Sequence, residues 1–187
     1  MILSEMRGCV LAWLFIAYWL LPYCETQGSE GNNAEPTTAK ATNSETFQPT
    51  ELRVPEGCRD ELAAGPPLVT HPTMACFDDQ GGLYVCNNAG VNMGNEELEE
   101  HLPNAIHRLV DTDGDGKFDS FTVFADKLTF PMGGVWLDGA VYVASPPNIW
   151  RMRDSDGDGV ADERTILVSR FGYNGNAASI HGCFFGP

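Results

Sequence analysis

The feature that most constrains this chain is an internal repeat with an offset of 43 residues. Residues 106–119 and 149–162 each carry an aliphatic residue, then an arginine, and then a run of aspartates and glycines. Thr122 and Thr165, each at the start of an apolar stretch, keep the same offset. A repeat of about 40 to 45 residues that contains two hairpins is typical of β-propeller blades. The repeat therefore favours a propeller over a sandwich, which has no need to repeat its sequence.

A second sequence pattern alternates with the acidic repeat and predicts a strand, a tight turn and another strand. It occupies residues 74–85, returns at 135–143 and starts a third time at 181–187. Short apolar runs on either side of Gly- and Asp-rich turns predict β-hairpins. The folded part has room for about three blades, whereas a closed propeller has at least four. The sequence thus predicts an all-β fold, an incomplete β-propeller that is truncated at the C-terminus.

The two acidic loops both fit the pattern D-x-D-x-D-G-x-x-D, and this spacing suits a calcium ion. Carboxylates at positions 1, 3 and 5 wrap a cation, and glycine at position 6 allows the turn that brings the position 7 carbonyl inward. The position 9 carboxylate binds directly or through water. The predicted ligands are Asp111, Asp113, Asp115, the carbonyl of Lys117, and Asp119 in the first loop, and Asp154, Asp156, Asp158, the carbonyl of Val160, and Asp162 in the second.

Two alternatives to a calcium hairpin follow from the same residues. A sensor EF-hand needs a bidentate Glu at position 12, where this chain has Thr122 and Thr165, and its flanks are helical. The other alternative is a metal-free turn, since Asp and Gly favour turns on their own. A turn needs only one or two of these aspartates, so two loops in register favour calcium. They resemble the calcium hairpins of integrin-type propellers.

The N-terminal region predicts export. An apolar run at residues 9–21 follows Arg7 and is the length of a signal-peptide core. We expect residues 1–24 to be a signal peptide or N-terminal anchor, 25–50 a disordered linker, and 51–187 the partial propeller. The predicted location is exported, periplasmic or associated with the cell envelope. Lipidation at Cys24 is an alternative to cleavage, although Pro22 and Tyr23 do not form a lipobox.

The formal net charge of -15 argues against a nucleic-acid partner, because phosphates repel an acidic chain. Membrane contact is expected only through the N-terminal segment, if it is uncleaved or lipidated. Elsewhere the pattern predicts one helix at residues 96–102, capped by Asn95 and ended by Pro103. A two-residue turn at Gln80-Gly81 would point Cys76 and Cys86 to opposite sheet faces, which favours buried free thiols over a disulfide.

Residues 108–131, 151–162 and 180–187 resemble the membrane-bound dehydrogenase family of propeller proteins. This family is related to the soluble quinoprotein glucose and sorbosone dehydrogenases, and the resemblance covers roughly residues 52–187. It implies a propeller that, when complete, acts on a sugar or alcohol. It also implies that a complete homologue binds pyrroloquinoline quinone. Fold does not fix function, however.

The same resemblance implies one catalytic residue. In quinoprotein dehydrogenase propellers, a histidine before a Gly-Pro-Asp-Gly-type turn is the general base toward the alcohol, and His181 precedes Gly186-Pro187. The alternative for His181 is a polar turn residue. For the chain, the alternatives to a dehydrogenase fragment are a non-catalytic propeller that binds glycans or proteins, and an inactive truncated product. The fragment alone is expected to be inactive.

Overall fold

A computed structural model describes residues 38–40, 53–172 and 180–186. The chain separates into two compact units, Met1–Asn33 and Ala34–Pro187, and every described residue belongs to the second. The predicted leader lies outside the described residues. In the described part, no helix has the length and apolar character needed to cross a bilayer.

The first sheet is antiparallel, with the strand order β1-β5-β4-β3-β2. Its strands are β1 (Thr38–Lys40), β2 (Pro72–Phe77), β3 (Leu83–Asn87), β4 (Asn104–Val110) and β5 (Ser120–Leu128). A short helix, α1 (Asn95–His101), lies between β3 and β4 in the chain. The strand β1 falls within the segment predicted to be a linker and adds an outer strand that the sequence pattern did not indicate.

The second sheet is a four-stranded antiparallel meander in the order β6-β7-β8-β9. Its strands are β6 (Gly133–Leu137), β7 (Ala140–Ser145), β8 (Asn148–Arg153) and β9 (Glu163–Val168). The sheets meet through β2 and β6, which contact one another. The prediction of an all-β fold is confirmed for the described residues.

The two sheets share a core, here called the interface cluster. The first sheet contributes Tyr84, Cys86, Ile106, Phe124, Ala125 and Leu128, and the second contributes Val141, Val143, Met152 and Ala161. Most of these side chains line up because alternate residues of a strand point to the same face. The adjacent Phe124 and Ala125 share a face at the register shift between the Ile106 and His107 pairs. Phe124 is 1% exposed and makes an edge-to-face contact with Tyr84, with ring centroids 4.7 Å apart.

The opposite face of the first sheet is also covered, by the segment that precedes β2. Leu68 and Val69 pack there against Val85 and Leu109, with Phe118 at the edge of this second cluster. Burial on both faces explains why β3 has an almost continuous apolar sequence instead of an alternating one.

The first hairpin differs from the prediction. The turn between β2 and β3 spans residues 78–82, because the Asp78 carboxylate accepts the N–H groups of Gln80 and Gly82, at 2.9 and 2.7 Å. Cys76 therefore pairs with Tyr84. The prediction that Cys76 and Cys86 face opposite sides is wrong, since both contact the interface cluster. Both thiols are free, and Cys86 is buried as expected for a small apolar residue.

The predicted helix is present, but its cap is not the predicted one. Gly94 occupies the N-cap position without a side-chain hydrogen bond, whereas Asn95 is already helical. Leu102 ends the helix in a left-handed conformation, with φ at 46° and its N–H donated to the Leu98 carbonyl. Leu98 is 1% exposed, so α1 is anchored by one apolar side chain.

Candidate metal centres

Each acidic loop connects two paired strands of one sheet. The first loop joins β4 to β5, and the last pair before it is Val110 with Ser120. The second loop joins β8 to β9, and the last pair before it is Arg153 with Glu163. Nine residues therefore separate the strands in both cases, and the predicted placement of the loops in β-hairpins is confirmed.

The first aspartate of each loop organises the backbone. Asp111 accepts the N–H groups of Gly114 and Gly116, at 2.7 and 2.9 Å. Asp154 accepts those of Gly157 and Gly159, at 2.7 and 2.8 Å, which is the same pattern 43 residues later. The glycines have φ values between 77° and 89°, a region that residues with a Cβ rarely adopt. The glycines at positions 4 and 6 are therefore required by the turn.

The aspartates at positions 1, 3 and 5 come together in both loops. Carboxylate oxygens of Asp111, Asp113 and Asp115 lie within 4.8 Å of one another, and so do those of Asp154, Asp156 and Asp158. The amides of Lys117 and Val160, at position 7, donate to the position 5 carboxylates, each at 2.8 Å. Each loop thus presents three converging carboxylates close to solvent.

The aspartates at position 9 have a partner that the sequence did not reveal. Asp119 accepts both the N–H and the hydroxyl of Thr112, at 3.2 and 2.6 Å. Asp162 accepts the N–H of Ser155 at 2.9 Å, together with its hydroxyl. The signal was a hydroxyl residue at position 2 of both loops. These bonds tie position 9 to position 2, whereas the groups of converging carboxylates contain only positions 1, 3 and 5.

Hydrogen bonding favours the ionised form of two of these carboxyl groups. The N–H groups of Gly116 and then Gly114 lower the pKa of Asp111. The side chain and then the backbone of Ser155 lower the pKa of Asp162. Donors aimed at a carboxylate stabilise its charge. Asp111 and Asp162 therefore keep their negative charge to a lower pH than an ordinary aspartate does.

The surroundings of the two loops differ. Ala161 of the second loop is 4% exposed in the interface cluster, and its N–H donates to the carbonyl of Phe124 at 2.7 Å. The equivalent residue of the first loop, Phe118, donates its N–H to the carbonyl of Ala63 at 2.9 Å. The segment before β2 therefore covers the first loop in the way that β5 covers the second.

A cleft of about 260 Å³ opens beside the second loop, between the sheets. Arg108 donates to Asp78 at 3.3 Å on its wall and lies 5.9 Å from the Tyr84 ring centre. Burial raises the pKa of the Tyr84 hydroxyl, against the lowering effect of Arg108. Asp154 also borders this cleft. Sequence reasoning missed the Asp78–Arg108 pair because these residues lie in different hairpins.

The structure gives His181 no partner for acid–base chemistry among the described residues. His181 is exposed, and residues 180–186 form neither helix nor strand. Its backbone lies against β6, because a Cβ built on Gly133 would be 2.6 Å from the His181 carbonyl oxygen. The catalytic role of His181 remains a prediction.

These features define an all-β chain with two antiparallel sheets and an acidic loop in the outer hairpin of each. A family model described as a domain of unknown function, DUF7133, matches residues 44–186, and the chain belongs to that family. None of the curated proteins or solved structures compared with it gave a match.

Proposed function

We propose that this chain is a calcium-binding portion of an exported, dehydrogenase-like β-propeller in which the metal stabilises two hairpin loops. The observation that carries the proposal is the pair of carboxylate triads, Asp111/Asp113/Asp115 and Asp154/Asp156/Asp158, each within 4.8 Å. Both triads are organised by the same hydrogen bonds from glycine amides. An acidic turn that merely reverses the chain does not require this duplication.

The donor chemistry fits calcium. All the side-chain donors are carboxylate oxygens, which are ligands of hard cations, and calcium accepts six to eight of them in loose geometry. Magnesium demands stricter octahedral order and retains its waters. Three carboxylates this close repel one another strongly unless a cation offsets their charge. Water, the position 7 carbonyls and the position 9 carboxylates would complete each site.

The proposed role is structural, because each loop joins parts of the fold. The second loop meets the first sheet through Ala161 and Phe124. Beside it, Arg164 donates to the carbonyl and the carboxylate of Asp126, at 2.9 and 3.2 Å. A cation that fixes residues 154–162 would hold these groups in place. Calcium would therefore strengthen the packing of one sheet on the other.

The arrangement of the inner strands supports a propeller. A Cβ built on Gly133 of β6 would meet the sulfur of Met74 in β2 and the backbone of His181 and Gly182, so these three segments lie close together. Successive inner strands side by side are what blades around a common axis require. Oxidation of a sugar or alcohol, with His181 as base and pyrroloquinoline quinone as cofactor, rests on the family resemblance alone. It is proposed only for a complete propeller.

Thermal unfolding tests the proposal. The full chain, stripped of metal, is melted with a chelator, with calcium or with magnesium. We expect calcium at 100 times its dissociation constant to add about 2.7 kcal/mol per site. In a chain of this size, the stabilisation from one occupied site corresponds to a rise in Tm of roughly 5 to 10 °C. Magnesium at the same concentration should give much less. Equal Tm values in all three buffers would contradict calcium binding.

A further inference from the structure

The cleft between the two sheets, beside the second acidic loop, has the composition of a ligand site. The first sheet lines it with Tyr84, Arg108 and Phe124, and the second sheet lines it with Trp136 and Val141. Both walls therefore belong to described residues of this chain. A cleft between packed units that combines apolar walls with a few converging polar groups is a common place for a small ligand.

The size of the cleft limits what it holds. Its volume is about 260 Å³, slightly below the roughly 300 to 1,000 Å³ of pockets that bind drug-sized ligands. One six-membered ring with its substituents suits this volume, whereas a dinucleotide or a folded peptide is too large. The exposed turn residues Asp79 and Gln80 border the cleft, so it is open to solvent on that side.

Arg108 supplies hydrogen-bond donors inside the cleft. It donates to Asp78 at 3.3 Å, lies 5.9 Å from the centre of the Tyr84 ring and keeps 26% of its side chain exposed. Gly82 makes room for this pair, because a Cβ there would lie 2.5 Å from the Asp78 carboxylate and 3.2 Å from the guanidinium. A guanidinium has five N–H groups in a rigid fork, so Asp78 engages only part of it.

The carboxylates around the cleft restrict the charge of the ligand. Asp78 already accepts two turn amides and Arg108, and Asp154 already accepts two loop amides. Asp79 is exposed at the rim. An anion would be repelled by these carboxylates, and a cation would be repelled by the Arg108 guanidinium. A neutral ligand avoids both repulsions.

The aromatic wall adds a preference for an apolar ring face. Trp136 is half-buried, packs against the interface cluster and borders the cleft. Its indole offers an apolar surface together with one N–H donor. Hydroxyl groups both donate and accept, so they match Arg108, Asp79 and the Gln80 amide at the same time. A ring that carries hydroxyls at its edge and C–H groups on its face fits this combination.

We propose that the cleft binds one neutral polyhydroxylated ring of the size of a hexose or a cyclitol. Arg108 donates to its hydroxyls, Asp79 accepts from them, and Trp136 packs on its C–H face. His181 does not line this cleft, so the site is separate from the proposed dehydrogenase chemistry. It also requires no calcium, because amide hydrogen bonds alone organise the Asp154 wall. Its failure and the failure of the calcium proposal are therefore distinguishable.

Ligand-observed NMR titration of the full chain, repeated with calcium and with a chelator, tests the proposal. The neutral probes are glucose, galactose, mannose and myo-inositol, and the charged probes are glucuronate and glucosamine. A ligand this small binds weakly, so we expect a Kd of about 0.1 to 10 mM for at least one neutral probe. Neither charged probe should bind more tightly than the best neutral one.

The repeat provides a matched pair of variants. Arg108 lies opposite Tyr84, and Arg151 lies opposite Tyr142 in the second sheet but does not line the cleft. Arg108→Gln should weaken binding of the best neutral probe by roughly 10-fold, because hydrogen bonds from a charged donor are lost. Arg151→Gln should leave binding unchanged. Thermal unfolding checks that both variants are folded.

Two further variants keep the test decisive if Arg108→Gln unfolds the chain. Asp79→Ala, at an exposed turn position, should weaken binding roughly 3-fold. Trp136→Leu should weaken it more than Trp150→Leu, since Trp150 borders a different cleft. The proposal is overturned if no neutral probe binds with a Kd below about 10 mM. It is equally overturned if a charged probe binds most tightly, or if the folded variants and their controls lose affinity alike.

Discussion

Ala161 donates its backbone N–H to the carbonyl oxygen of Phe124 over 2.7 Å, and this bond fastens the second acidic loop to the outer strand of the first sheet. Ala161 and Phe124 are also both buried in the interface cluster. The loop is therefore part of the contact between the sheets as well as a candidate metal centre.

Truncation of Phe124 tests the shared core. Phe124→Ala removes a fully buried ring between the sheets, so we expect a loss of about 3 to 5 kcal/mol in the free energy of unfolding. The matched control is Leu167→Ala, at the equivalent but half-exposed position of β9, which should cost less than about 1 kcal/mol. Urea denaturation in the presence of calcium measures both. Equal losses would show that the two sheets do not pack as described.

The glycines at position 6 of the loops form a second matched pair. Gly116 and Gly159 have φ values of 89° and 88°, so alanine is strained by about 1 to 2 kcal/mol at either site. A Cβ at Gly116 meets open space, whereas a Cβ at Gly159 lies 3.3 to 3.4 Å from Thr122. Gly159→Ala should therefore destabilise the chain more than Gly116→Ala, as measured by thermal unfolding. The reverse order would argue against contact of the second loop with β5.

Single carboxylate changes should separate the roles of the two loops. Asp113→Asn and Asp156→Asn each remove one negative charge at position 3, where the side chain makes only a weak bond to a loop amide. Both should weaken calcium binding at their own site. Each change should abolish only part of the calcium-dependent rise in Tm, because a bound ion stabilises the chain according to the affinity of its own site. Loss of the whole rise from either single change would contradict two independent sites.

Thiol reactivity tests burial in the first sheet. Desolvation raises the pKa of Cys86 to about 12 and that of Cys76 to about 11, whereas Cys58 is exposed. Since the thiolate is the reactive form, iodoacetamide at pH 8 should label Cys58 at least 10-fold faster than Cys86. Labelling of all three at one rate in the folded chain would contradict the structure.

The raised pKa values of these two thiols also predict how the stability of the chain changes with pH. The folded pKa values of Cys76 and Cys86 lie above the ordinary thiol value of 9.0, so unfolding releases protons in the alkaline range. Their contribution is complete below pH 9 and declines as the pH rises toward 12. Urea melts at pH 8 and pH 10 should show a smaller decline for Cys86→Ala than for the natural chain. An identical decline would assign the alkaline loss to other groups.

Much of the fold could be predicted from the sequence because the two copies of the repeat form hairpins at equivalent positions. The 43-residue offset predicted both acidic hairpins, and the pairs Arg108–Thr122 and Arg151–Thr165 show that their registers agree. The turn after β2 was not predictable. Asp78-Asp79-Gln80-Gly81-Gly82 allows several turns, and the hydrogen bonds of the Asp78 carboxylate decide between them.

The sequence predicted the aspartates of the two loops, but it did not predict the residues that hold the loops in place. The spacing of aspartates and glycines reports loop geometry directly, whereas Thr112 and Ser155 stand at a position that the motif leaves open. The cover of the first loop was also missed. Ala63 lies in a segment without strand periodicity, and its contact with Phe118 depends on tertiary packing.

The most direct test of the account is the number of calcium ions bound per chain, measured by isothermal titration calorimetry on the metal-free full chain at neutral pH. The two triads predict two ions for the natural chain. They predict one ion for either Asp113→Asn/Asp115→Asn or Asp156→Asn/Asp158→Asn, and none for the combination. A folded natural chain that binds no calcium, or that binds it equally well after all four substitutions, would contradict the account.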